Sequence, residues 1–155
     1  MSAFMKTIAS FTVDHEKIEP GMYVSRIDGD IYTFDLRTRK PNNGNYMDNR
    51  TMHSVEHMMA TYLRNGDIGD HVVYFGPMGC QTGFYLLTKG LLPERVKKAV
   101  LTALRAVITH SGPMFGNTRK ECGNFENLDL DDAKKECAAY IIALEGQTGG
   151  FDYAN

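Results

Sequence analysis

The chain has 155 residues and a mass of 17.4 kDa, the usual size of one domain, and a chain of this length buries roughly two-thirds of its unfolded surface without staples. Hydrophobic residues at 43%, charged residues at 23% and a mean hydropathy of -0.33 exclude a disordered, collagenous or coiled-coil protein, and no apolar run nears the ~18 residues of a membrane span. A formal net charge of -2 and a pI near 6.2 argue against a nucleic-acid partner. The N-terminal Met-Ser-Ala-Phe-Met-Lys lacks the basic stretch and apolar core of a secretory signal, so a cytoplasmic protein is expected. Its three cysteines, Cys80, Cys122 and Cys137, are then reduced thiols, too few and odd in number for a disulfide framework.

In chain order, Met22–Ile27 and Ile31–Arg37 are rich in β-branched and aromatic residues and flank Asp28-Gly29, a dipeptide suited to a type I′ hairpin turn with both central residues at positive φ. Lys40–Asn49 is a turn-rich loop. A first helix is predicted over Thr51–Arg64, with Met52, Val55, Met59, Tyr62 and Leu63 on its apolar side, stopping at Asn65-Gly66. His71–Phe75 and Gly83–Leu87 read as a second strand pair joined by the glycine-punctuated loop Gly76–Thr82. A second helix opens at Pro93, buries Val96, Val100, Leu104, Val107 and Ile108, and ends before Gly112-Pro113. A third, over Leu130–Leu144, places Leu130, Ala133, Cys137, Ile141 and Leu144 on one face, with Asp129, Asp131 and Asp132 at its positive end. Hairpins rather than single strands between helices predict an α+β fold, an antiparallel sheet packed with helices, in one domain over residues 1–155.

The first helix carries His53-Ser54-Val55-Glu56-His57. Residues i and i+4 are neighbours on one helix face, so both imidazoles reach a single ion, while Glu56 at the edge of that face can touch what the ion holds and serve as an acid or base. A catalytic site of this type uses three protein ligands and keeps a position open. Two candidates for the third are Glu136, on the polar side of the third helix, and Cys122, in the loop before it, whose soft sulfur beside two imidazoles suits zinc or ferrous iron. Cys80 stands between Gly79 and Gly83, where absent side chains let a substrate approach the backbone. It reads either as a nucleophile or acid/base group or as a small buried residue in a tight turn. Cys137 falls on an apolar helix face and reads as core.

Three blocks, His53–His57 followed by Arg64-Asn65, then Gly76–Tyr85, then Glu121-Cys122-Gly123, resemble the signature blocks of the LuxS family of S-ribosylhomocysteine lyases. Ser10–His15, Phe34–Arg37 and Pro41-Asn42 fit the same family, so the resemblance spans nearly the whole chain in order. It implies a cytoplasmic homodimer acting on the small molecule S-ribosylhomocysteine, with ferrous iron (Fe2+) as native cofactor and zinc (Zn2+) often found after purification. Carried over by position, it implies His53, His57 and Cys122 as metal ligands, Glu56 and Cys80 as the acid/base pair, and Ser10, His15 and Arg37 as substrate-pocket residues. One position departs: Tyr74 stands six residues before Cys80, where members often carry an acidic residue, and its hydroxyl could take over part of that contact. Two rival readings of the same residues are a metallohydrolase, with Glu56 activating a metal-bound water, and a structural metal module closed by a fourth ligand such as Cys80.

Overall fold

The computed structural model describes residues 5–154; the first four residues of the stretch read for a secretory signal, and Asn155, lie outside them. Four strands, β1 (Gly21–Asp28), β2 (Ile31–Arg37), β3 (Val72–Pro77) and β4 (Gly83–Lys89), form one antiparallel sheet in the spatial order β1-β2-β4-β3. Helices α1 (Asn49–Arg64), α2 (Pro93–Ile108) and α3 (Leu130–Gly146) pack on one another, with α1 against β3 and α3 against β1. No helix among the described residues is long and apolar enough to cross a membrane.

The first hairpin turns one residue later than the sequence pattern predicts. Asp28 pairs with Ile31, so the two central residues are Gly29 and Asp30, and only Gly29, at φ +63°, is left-handed. That φ pattern belongs to a II′ turn rather than I′: glycine takes the one position that a side chain would strain. In the second hairpin His71 belongs to a short 3-10 turn, Gly69–His71, and β3 runs on through Pro77, which shortens the connecting loop.

Period-two alternation along β2 decides what each sheet face carries. Phe34 and Leu36 point into the core with Phe84 and Leu86 of β4, against Val55, Met59 and Leu63 of α1. Asp35 and Arg37 occupy the opposite face, yet they are only 1% and 2% exposed. Tyr23 and Tyr85 flank Asp35 directly across the two neighbouring strands. The C-terminal segment closes over this region. Gln147 exchanges two hydrogen bonds with the Met22 backbone at 2.8 and 2.9 Å, Val24 N–H donates to the Phe151 carbonyl at 2.8 Å, and the Tyr153 ring stacks on Tyr23 with centroids 5.1 Å apart.

Each long helix starts where its chemistry dictates. Asp48 caps α1 by accepting from Thr51 N–H at 2.7 Å, Pro93 opens α2, and Asp129 caps α3 by accepting from Asp132 N–H at 3.0 Å. Cys137 is core as expected, and burial, aided by the neighbouring Glu136 carboxylate, pushes its thiol up to about 12. Glu136 itself differs from expectation. It is not on a polar face but buried, where Arg39, from the loop after β2, donates to both its oxygens at 2.7 and 3.2 Å. Tyr62, Ile108, Leu130 and Ile141, expected inside, are half-buried.

Because Asp48 heads the helix that carries the histidine pair, Asp48→Ala is expected to cost about 1 kcal/mol in urea unfolding near neutral pH. Hydrogen bonds to Thr51 hold the Asp48 carboxyl below its usual range. A lowered carboxylate stabilises fully above the unfolded-state pKa and ceases to do so as pH falls through the folded-state value. The gap between wild type and variant should therefore close in strong acid; a gap independent of pH would contradict the capping role.

Candidate functional site

One turn of α1 separates His53 and His57, and their rings lie edge to face with centroids 4.7 Å apart. The loop between α2 and α3 brings Cys122 to them, its Sγ 3.4 Å from His53 Nε2. Among the described residues these three form the one group of His, Cys, Asp or Glu side chains with metal-binding spacing, all donor atoms lying within 4.8 Å of one another. The donor set fits a divalent ion: a tetrahedral centre with sulfur near 2.3 Å and nitrogen near 2.0–2.1 Å places those atoms about 3.5 Å apart. Glu136, the other sequence candidate for a third ligand, is committed to Arg39 and does not join them.

The surroundings orient the donors. His57 Nδ1 lies 3.0 Å from the Phe115 carbonyl, which only accepts, so Nδ1 carries the hydrogen and Nε2 presents its lone pair. The Asn124 N–H points at Cys122 Sγ from 3.4 Å and helps fix where the sulfur lies. The Phe115 turn is held in place by His110. Its Nε2–H donates to the Pro113 carbonyl at 2.9 Å while its Nδ1 accepts from the Tyr62 hydroxyl at 2.6 Å. Gly116 is left-handed at φ +66°, and an added Cβ would sit 2.9 Å from His57 Nδ1, so the backbone presses directly on the imidazole.

Glu56 is half-buried beside His57 and lines an open cleft of about 390 Å³ with Arg64, Tyr74 and Phe115. Tyr74 thus stands in the same cleft as Glu56, its ring lying over Gly76, where no side chain competes for the space. Cys80 lines a different cleft, of about 260 Å³, with His15, Asn42 and Tyr46. Ser10, in the short 3-10 turn Ala9–Phe11, is half-buried and is not among the residues lining the Cys80 cleft.

Cys80 is exposed in a tight loop, which sets aside the reading of a buried turn residue. The two glycines beside it serve different ends. A Cβ on Gly79 would meet open space, whereas one on Gly83 would strike the Leu36 carbonyl at 2.7 Å, so Gly83 is required by the close approach of β4 to β2 rather than by a substrate. Beneath Cys80 lies Arg37. Its Nε and Nη2 donate to the two oxygens of Asp35 at 3.1 and 2.6 Å, and its Nη1 donates to Thr82 Oγ1 at 2.7 Å and faces Cys80 Sγ at 3.8 Å. The Thr82 hydroxyl is itself 3.0 Å from the sulfur. Burial opposes the guanidinium charge, but the hydrogen bonds and charge of Asp35 outweigh it and hold Arg37 above the usual arginine range. The sulfur thus has a guanidinium and a hydroxyl as its nearest polar neighbours.

Asp35 and Thr82 are the residues the sequence reading missed. The signal was present for one of them: two opposite charges at i and i+2 in an otherwise apolar strand share a sheet face, and at that spacing they can pair.

Two histidines and a cysteine at metal-binding spacing, with His57 lining a cleft beside Glu56, on a small α+β scaffold, define a candidate metal centre of an enzyme. Residues 8–148 match the family model described as S-ribosylhomocysteinase (LuxS). Among its relatives, an S-ribosylhomocysteine lyase of Desulfotalea psychrophila is 44% identical over 146 residues, covering 90% of this chain and 92% of its own. Proteins of the same name from Phocaeicola vulgatus and Borreliella afzelii are 45% and 42% identical, covering 88% and 90% of this chain and 89% and 93% of theirs. The chain belongs to the LuxS family, whose members so named are carbon–sulfur lyases.

Gly116→Ala tests the seating of His57. The added methyl must push the ring or the turn, and a displaced imidazole should weaken binding of a divalent cation by about tenfold or more in a zinc or cobalt titration. Unchanged affinity would show that the turn does not orient the donor.

Proposed function

We propose that this chain is a metal-dependent lyase that cleaves S-ribosylhomocysteine to homocysteine and 4,5-dihydroxy-2,3-pentanedione, the precursor of autoinducer-2, in the cytoplasm. The observation that carries the reading is the meeting of His53, His57 and Cys122 with Glu56 one helical step away, in a chain of the LuxS family. Ferrous iron and zinc both suit this donor set. When bound, the ion would supply Lewis acidity to an oxygen of the substrate.

The bond to be broken sets the task of the protein side chains. A thioether carbon–sulfur bond leaves by β-elimination only when a carbonyl acidifies the hydrogen on the carbon next to the one bearing sulfur. The sugar carbonyl must therefore move inward along the ribose before sulfur departs. Each shift removes a proton from one carbon and returns one to its neighbour, so the net electron count is unchanged. Cys80 Sγ, contacted by Arg37 and Thr82, and the Glu56 carboxyl group are the two groups assigned to those transfers, a contribution of ~10²–10⁴-fold when well positioned. In the final step a proton leaves carbon, the carbon–sulfur electron pair departs with sulfur, and homocysteine is released as its thiol. His15 lines the Cys80 cleft and is assigned to the substrate; Arg37, expected in the substrate pocket, is buried and not among the residues lining that cleft, so its assigned part is the support it gives Cys80; Ser10 is assigned to the substrate on the family resemblance alone.

Glu56 and Cys80 line separate clefts within one chain, yet one substrate must reach both. A homodimer in which the Cys80 cleft of one copy faces the Glu56 cleft of another resolves this. A structural metal module fits less well, because Cys80, its proposed fourth ligand, does not belong to the donor group.

Glu56→Gln and Cys80→Ala should each keep their metal and lose about 10²-fold or more in homocysteine release, with a ketose accumulating from carbon-13-labelled sugar. Cys122→Ala should lose most of its metal whereas Cys137→Ala should not. Metal loss in the Glu56 or Cys80 variant would make that residue a ligand and reject its acid/base role. Light scattering should report about twice the 17.4 kDa chain mass; full turnover by a monomer would reject the shared site.

A further inference from the structure

The geometry points to Tyr153, in the C-terminal segment, as a positioning residue that sets the reactivity of Cys80 through Asp35 and Arg37. This rests on the acid/base role proposed for Cys80. Tyr153 lies outside residues 8–148, the span that matches the family model.

The path is continuous. The Tyr153 hydroxyl donates to Asp35 Oδ2 at 2.6 Å, the same oxygen that accepts from Arg37 Nη2. Asp35 Oδ1 accepts from Arg37 Nε, and the remaining nitrogen, Nη1, is thereby aimed at Thr82 and Cys80. The guanidinium is planar and rigid, so fixing two of its nitrogens on one carboxylate fixes the direction of the third. Asp35 and Arg37 are almost wholly buried, where a hydrogen bond to a charged group is strong and a missing one is not replaced by water.

Two consequences follow from the hydroxyl. It occupies a lone pair of Oδ2 and so restricts rotation of the carboxylate that orients Arg37. It also offsets part of the negative charge of Asp35, which otherwise draws the guanidinium away from the sulfur. The phenol is a suitable donor for this purpose, because burial and the adjacent Asp35 push it well above the usual tyrosine range and it stays protonated. The ring is held by its stack on Tyr23, and the backbone ahead of it by the bond from Val24 to Phe151.

The test uses the metal-loaded full-length protein and iodoacetamide at neutral pH, with peptide mass spectrometry separating Cys80 from Cys122 and Cys137. Tyr153→Phe keeps the ring and the stack and removes only the hydroxyl. It should slow alkylation at Cys80 by roughly three- to tenfold, lower kcat by a similar factor, and leave metal content unchanged. Tyr140→Phe is the control for general loosening: it deletes another buried hydroxyl bond, 2.8 Å to the carbonyl of Gly21 across from Arg37, and that hydroxyl makes no hydrogen bond to the Asp35 or Arg37 side chain. It should lower the melting temperature without slowing alkylation. An unchanged Cys80 alkylation rate in Tyr153→Phe, or an equal slowing in Tyr140→Phe, overturns the proposal. Normal thiol release by Cys80→Ala would reject the acid/base role instead, and the alkylation comparison would still decide whether Tyr153 acts on the sulfur.

Discussion

A buried ion pair on the central strand organises the half of the molecule that carries Cys80. Asp35 and Arg37 stand on the sheet face away from the helices and are almost wholly out of water, where a charge is tolerated only if its partner and its remaining hydrogen bonds are supplied. Arg37 finds them in Asp35, Thr82 and Cys80; Asp35 finds them in Arg37 and Tyr153. Deleting one member of such a pair typically costs ~3–5 kcal/mol because the other charge is left stranded. Several otherwise unrelated features are read from this one demand. Gly83 lets β4 lie close enough to β2 for Thr82 to reach the guanidinium, and the C-terminal segment folds back over the sheet instead of leaving it.

The metal-binding half obeys a different constraint. Helical spacing brings two imidazoles together at no cost in tertiary structure, but the third donor comes from a loop with little regular structure of its own. That loop is ordered by polar contacts from the helices. Lys134 of α3 donates to the His110 carbonyl at 2.7 Å, Ser54 of α1 accepts from Asp129 N–H at 2.8 Å, and His110 ties Pro113 to Tyr62. The residues that seat the donors are thus drawn from the faces of α1 and α3 that touch the loop. Packing of the two helices and preorganisation of the donors are the same set of contacts.

Local features were legible in the sequence, and long-range ones were not. His53 and His57 share a helix face by spacing alone, and Pro93 and Asp129 start their helices for local reasons, so both survive intact in the fold. The first hairpin was legible but its turn was displaced by one residue, because Asp28-Gly29 and Gly29-Asp30 both contain the one residue free to take positive φ. Glu136 looked like a surface residue since its periodicity places it at the margin of the apolar stripe; Arg39, 97 residues away, makes its burial possible. Nothing local to Tyr153 indicates that it reaches Asp35, 118 residues earlier. Cys122 was a candidate by its soft sulfur and loop position and was singled out by resemblance; its 3.4 Å approach to His53 is a loop geometry that no periodicity encodes.

In the proposed homodimer, Cys80 of one copy and Glu56 of the other act on the same substrate. The most direct measurement is complementation. Glu56→Gln and Cys80→Ala chains, each inactive alone, are refolded together with metal and assayed for homocysteine released from S-ribosylhomocysteine. Random pairing makes half the dimers mixed, and each mixed dimer holds one site with both residues intact, so recovery of about a quarter of wild-type turnover is predicted. Activity no greater than the sum of the two separate variants, in a sample shown to contain mixed dimers, would contradict it.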